Sequence, residues 1–132
     1  KRQVAVWESN FVRRDAPAAV KVRGMPLDDL CQEAGVAAID FLKMNIEGAE
    51  QWALPGCRKV LPRTRYVCVA AHDFRADRGE GEQFRTFHFV CRFLREAGFQ
   101  LVTRDTDPRY FVPYHVHGFR PDEGKEKNES AC

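Results

Sequence analysis

No apolar run in this chain approaches the ~20 residues a helix needs to cross a bilayer, and no secretory leader is visible at its start. Charge of one sign is not concentrated anywhere: 21 Lys and Arg are interspersed with 19 Asp and Glu, and the net charge is +2. A balance so near neutral is too small to argue for nucleic-acid or membrane binding, and no nucleic-acid partner is expected. Paired cysteine motifs are missing as well. The five cysteines (Cys31, Cys57, Cys68, Cys91 and Cys132) are odd in number, and no two form a C-x-x-C pair. Most of them sit in apolar stretches, where cysteine behaves as a small hydrophobe. The expectation is a reduced, cytoplasmic protein with neither a membrane span nor a disulfide framework.

What is present is an ordinary globular composition. The chain has 132 residues, 44% of them hydrophobic and 30% charged, which suits a single domain with its own core. Short strands are predicted at 4–7 and 20–23. Pro26 opens a short helix over 27–34, with Asp28 and Asp29 in the first turn, where the helix dipole favours anions, and Gly35 as its stop. Residues 36–46 read as a strand buried on both faces, because Ile39, Phe41, Leu42, Met44 and Ile46 leave no polar side. A helix over 49–61 is interrupted at Pro55 and Gly56.

Residues 66–71 form a second apolar strand, and 73–81 a polar, mobile loop. The strongest helical pattern lies at 83–97, where Phe84, Phe87, Val90, Cys91, Leu94 and Ala97 keep one face. Strands at 101–103 and 110–116, joined by a turn at Asp107 and Pro108, are too close in sequence for a parallel crossover and should pair antiparallel. From Arg120 onward the composition is that of a disordered charged tail, so the domain is expected over 1–119 and the tail over 120–132.

Apolar strands separated by helices predict an α/β fold with a mostly parallel sheet, closed by that antiparallel C-terminal hairpin. Ligands of such sheets bind beyond the carboxyl ends of the strands. The two most buried strands end at Asn45-Ile46-Glu47 and at Ala71-His72-Asp73, so if they are neighbours, Glu47 and His72 meet at one sheet edge. His72 is the natural general base there, since its ordinary pKa lies near neutrality. Gly48 lets the backbone approach a ligand closely. The plainer reading of Glu47 and Glu50 is a helix start, where the dipole favours carboxylates by ~0.3–1 kcal/mol without any function. Both readings stand at this level. His115 and His117 alternate on a strand and share a face, but no third ligand stands near them, so no metal site is expected.

The stretch VAAIDFLKMNIEGAEQWALPGCRKVL resembles the signature of the FkbM-type methyltransferases, with Lys43, Glu47, Gly48, Ala49, Glu50, Leu54 and Gly56 at matching positions. VKVRGMPLDDL, YVCVAAHDF and LREAGFQ are similar to three further landmarks of that family, in the same order. Asn45 stands where the family usually has Asp. The resemblance implies a Rossmann-like sheet and S-adenosyl-L-methionine as cofactor, with O-methylation of a hydroxyl on a small-molecule, sugar or lipid acceptor. It further implies His72 and Glu47 as catalytic residues, Asn45 and Met25 toward the cofactor, and Glu50 and Asp73 toward the acceptor.

The glycine-rich cofactor turn of that enzyme class has no counterpart before Val20, and G-x-G occurs only at Gly79-Glu80-Gly81. The chain is therefore expected to correspond to the C-terminal half of the domain, lacking the N-terminal cofactor-binding strands. Such a half would be inactive alone and prone to self-association through an exposed sheet edge. The competing class is a non-catalytic α/β remnant or partner-binding module that has lost the cofactor site.

Overall fold

A computed structural model describes residues 24–121. The strand candidates at 4–7 and 20–23 lie outside the described residues. Within them the chain forms helix α1 (Leu27–Glu33), strand β1 (Ile39–Met44), helix α2 (Glu50–Ala53), strand β2 (Thr64–Ala70), helix α3 (Asp73–Asp77), helix α4 (Phe87–Glu96), and strands β3 (Gln100–Val102) and β4 (His115–Phe119). The four strands make one sheet in the order β1-β2-β4-β3. β1 and β2 are parallel, while β4 runs antiparallel to both β2 and β3. The last two strands pair antiparallel as expected, but β4 also inserts beside β2, so the described sheet has one parallel and two antiparallel pairings and the expectation of a mostly parallel sheet is corrected.

Register divides the sheet into two unlike faces. Leu42 pairs with Val67 and Met44 with Val69, and Val69 faces Val116 in turn. These residues turn toward α4 and the Leu54–Leu61 segment, where Leu54, Val60, Leu61, Val90, Leu94 and Phe99 complete the core. Each such aliphatic side chain, fully withdrawn from water, contributes about 1.5–3 kcal/mol. The other face carries Phe41, Tyr66 and Val102, which are 59%, 43% and 52% exposed. The expectation that β1 is buried on both faces is therefore corrected. Its run of apolar residues is the same on either side, but β1 is an edge strand among the described residues, and no described layer covers the Phe41 side.

Other boundaries moved for tertiary reasons. The helix expected over 49–61 is α2 followed by a 3-10 turn at Leu54–Cys57 and another at Leu61–Arg63, in keeping with Pro55 and Pro62. The helix expected over 83–97 is split: a 3-10 turn spans Glu82–Phe84, and α4 begins only at Phe87. Asp73 Oδ2 accepts hydrogen bonds from the Thr86 and Phe87 amides at 2.9 Å each, which caps α4 from a distant segment. The polar loop expected over 73–81 contains α3, with Arg75 and Ala76 buried. The last strand begins at His115 and not at 110, because Pro113 sits in a 3-10 turn over Val112–Tyr114.

Arg120, expected to open a tail, belongs to the packed domain. Its guanidinium donates to the carbonyls of Thr64, Leu61 and Ala97 and lies 4.4 Å from the Phe99 ring centre. Asp28, read as a helix-dipole anion, also accepts from the Lys59 and Val60 amides and so fastens α1 to the segment before β2. Among the described residues no helix is long and apolar enough to cross a membrane.

Candidate active site

The parallel pairing of β1 and β2 puts their carboxyl ends side by side, and β4 begins beside the end of β2, with His115 opposite Ala70. The chain leaves β1 through Asn45 and Ile46 and turns sharply at Glu47 and Gly48, which adopt φ of +56° and +96°. A non-glycine residue in the left-handed region costs of order 1–3 kcal/mol and persists only where its surroundings hold it. Here the holders are visible. Arg75 donates to Glu47 Oε2 at 3.0 Å and to Glu80 Oε2 at 2.6 Å, and its guanidinium stacks 3.9 Å from the Phe84 ring centre. Gly48 lies against that same ring.

His72 follows β2 by two residues, immediately ahead of α3, and is 3% exposed. Its Nδ1 is 3.0 Å from Glu50 Oε1, a close contact that does not meet hydrogen-bond geometry. Its Nε2 faces Glu47 Oε1 at 3.5 Å. The imidazole thus stands between two carboxylates of unlike exposure: the Glu50 side chain is wholly buried, whereas that of Glu47 is 39% exposed. Burial works against a charge on His72, but Glu50 and then Glu47 outweigh it and hold the histidine pKa above its ordinary value. For Glu50 burial likewise pushes upward, and the contact with His72, helped by backbone amides, carries the net shift below the usual carboxylate value.

Sequence reasoning placed Glu47 and His72 together from the ends of two strands, and the structure brings them together. It puts other expected residues to different use. Glu50, expected to contact the acceptor, has no exposed surface. Its Oε1 accepts from the Gly48 amide at 3.3 Å and the Ile46 amide at 3.4 Å, and its Oε2 from the Thr86 hydroxyl at 3.1 Å. Asp73, also expected at the acceptor, is 8% exposed, with Oδ2 committed to the cap of α4. Asn45 is exposed at the end of β1. Met25 is half-buried just ahead of α1, an element that packs on the Leu54–Cys57 turn.

Sequence reasoning missed Arg75, Thr86 and the aromatic wall beside His72. Phe74 lies 5.7 Å from the His72 ring centre and 5.3 Å edge-on from Tyr110, which is 55% exposed. Arg78 stacks 4.1 Å from the Tyr110 ring centre, and the Tyr114 hydroxyl is 3.0 Å from Asp77. An arginine in a stretch read as polar loop gave no warning of burial. His115, half-buried at the start of β4, has its pKa lowered by burial and then by neighbouring His117. Among the described residues no group of three His, Cys, Asp or Glu is arranged to hold a metal ion.

A buried, carboxylate-flanked histidine at the carboxyl edge of an α/β sheet is an acid–base site in form. Residues 1–101 match the family described as the methyltransferase FkbM domain, and the chain belongs to that family. It is 30% identical over 105 residues to the 2-O-methyltransferase NoeI of Sinorhizobium fredii, a match covering 75% of this chain and 42% of that protein. It is 31% identical over 104 residues to the 31-O-demethyl-FK506 methyltransferase FkbM of Streptomyces tacrolimicus, covering 78% of this chain and 36% of that protein. The chain therefore spans about two fifths of the length of these curated relatives. No solved structure matches it.

Proposed function

We propose that the protein is an S-adenosyl-L-methionine-dependent O-methyltransferase of Rossmann-like fold, acting on a hydroxyl of a small-molecule acceptor, with His72 as general base and Glu47 as its partner at the mouth of the site. The observation that carries this reading is the convergence of His72 and Glu47 where two parallel strands end. Methyl transfer to a hydroxyl is an in-line displacement dominated by positioning, with removal of the hydroxyl proton worth about 10²–10⁴-fold. In such a transfer His72 would take up the hydroxyl proton of the acceptor while Glu47 stands beside its Nε2. The carboxylate of Glu47, 39% exposed at this mouth, is the group chemically suited to lie toward a positively charged sulfonium donor. When bound, the cofactor supplies the methyl group.

Because two carboxylates favour the charged imidazolium, His72 is free to take a proton only above its raised pKa. Turnover is therefore expected to rise with pH through a value above the ordinary histidine range of about 6.5. The test is transfer of a labelled methyl group by the full-length protein to a panel of hydroxylated acceptors, comparing wild type with Glu47→Gln and His72→Asn. Both variants should fold and lose about tenfold or more in rate, and the double variant should lose less than the product of the two. Full activity in both single variants would remove the reading.

A further inference from the structure

The candidate base is held by a ring of buried polar groups that closes on itself. Glu50, Thr86, His72 and Asp73 come from three separate segments and are 0%, 0%, 3% and 8% exposed. Asp73 fixes the backbone of Thr86 through its amide, the Thr86 hydroxyl fixes Glu50 Oε2, Glu50 Oε1 meets His72 Nδ1, and His72 is the residue before Asp73. A buried carboxylate is costly unless it is paired and hydrogen-bonded. Among the described residues His72 is the ionic partner of Glu50, and the amides of Ile46 and Gly48 with the Thr86 hydroxyl supply its other donors. Both oxygens are therefore fixed in place before any ligand arrives.

We propose that Glu50 is the positioning residue of this site, holding the neutral His72 with its proton on Nδ1 so that Nε2, facing Glu47 and the mouth, is the nitrogen that accepts the acceptor's proton. This rests on the methyl-transfer reading for its consequence in turnover, but not for its structural content. Which ring nitrogen carries the proton is set by the partner of the other nitrogen. Nδ1 faces a carboxylate that never reaches solvent, whereas Nε2 faces one that does. The 3.0 Å Nδ1 contact falls short of hydrogen-bond geometry, and catalytic contacts often tighten into hydrogen bonds only when a site is filled. Glu50 would act only through His72, since it has no surface with which to touch an acceptor.

A carboxylate that merely finished the turn before α2 would hold the Gly48 amide equally well and leave the imidazole indifferent to its charge. Nitrogen-15 NMR of the imidazole in the full-length protein separates the two roles. The groups that bear on the titration are Glu50 from α2, Glu47 from the turn after β1, Arg75 from α3 and His115 from β4. In wild type the neutral ring should be protonated on Nδ1, with a midpoint above that of a free histidine. Glu50→Gln should lower that midpoint, mix the tautomers, and cut kcat about tenfold or more with little change in KM for the acceptor. Thr86→Val, which removes a donor from Glu50 and strengthens its hold on His72, should move the midpoint the opposite way.

An unchanged His72 titration and tautomer in Glu50→Gln would overturn the proposal. If that variant does not fold, an unchanged midpoint in Thr86→Val does the same. A shifted titration with undiminished turnover would uphold the positioning role and remove His72 from the reaction, which distinguishes failure of the methyl-transfer reading from failure of this one.

Discussion

Replacing Gly48 by alanine tests the turn on which the whole site is built. Two costs can be worked out separately. At φ +96° an L side chain is strained by of order 1–3 kcal/mol. A Cβ built there would also lie 2.7 Å from Phe84 Cδ1 and 3.1 Å from Cε1, closer than packed carbons tolerate. Phe84 is buried and has Arg75 stacked on its face, so the ring cannot swing aside without disturbing the arginine that grips Glu47. Overpacking of this kind adds about 1–3 kcal/mol, for a total of about 2–6 kcal/mol. Gly79 provides the control. Its φ is +80°, but a Cβ there meets nothing within 4 Å, so Gly79→Ala should cost the strain alone. Urea unfolding of the two variants beside wild type measures the difference. If Gly48→Ala proves no less stable than Gly79→Ala, the contact with Phe84 is not what holds this turn.

Two further outcomes are expected. His72 has a folded pKa above its unfolded value, so its stabilisation is fully present below about pH 6.5 and is lost as pH rises through the folded value, whereas the lowered Glu50 gives stability above about pH 4.5 that is lost as pH falls through its folded value. The pair should therefore contribute most between about pH 4.5 and 6.5, and stability curves of wild type and Glu50→Gln should converge on either side; parallel curves across the range would contradict this. Arg120→Met should cost about 2–3 kcal/mol by unfolding titration, since three backbone carbonyls lose a charged donor, while Arg109→Ala, which removes an exposed guanidinium, should change stability far less.

The sequence by itself determined the elements whose cause is local and the family to which the chain belongs. Proline and glycine at 26, 35, 55 and 56 marked where helices start, stop and break, and the apolar runs over 36–46 and 66–71 marked the two strands that pair in parallel. The meeting of Glu47 with His72 was legible because both follow strand ends, and strand ends share an edge whenever the strands are neighbours. Tertiary structure alone decided the rest. Side chains from distant segments set the start of α4 at Phe87, the burial of Arg75 and the anchoring of Arg120, and no periodicity within a window of residues encodes such partners. The same holds for the division of labour between two glutamates three residues apart. On a helix start Glu47 and Glu50 look alike, but the left-handed turn leaves one at the mouth and drives the other into the core, where Thr86 and His72 decide what its charge is for.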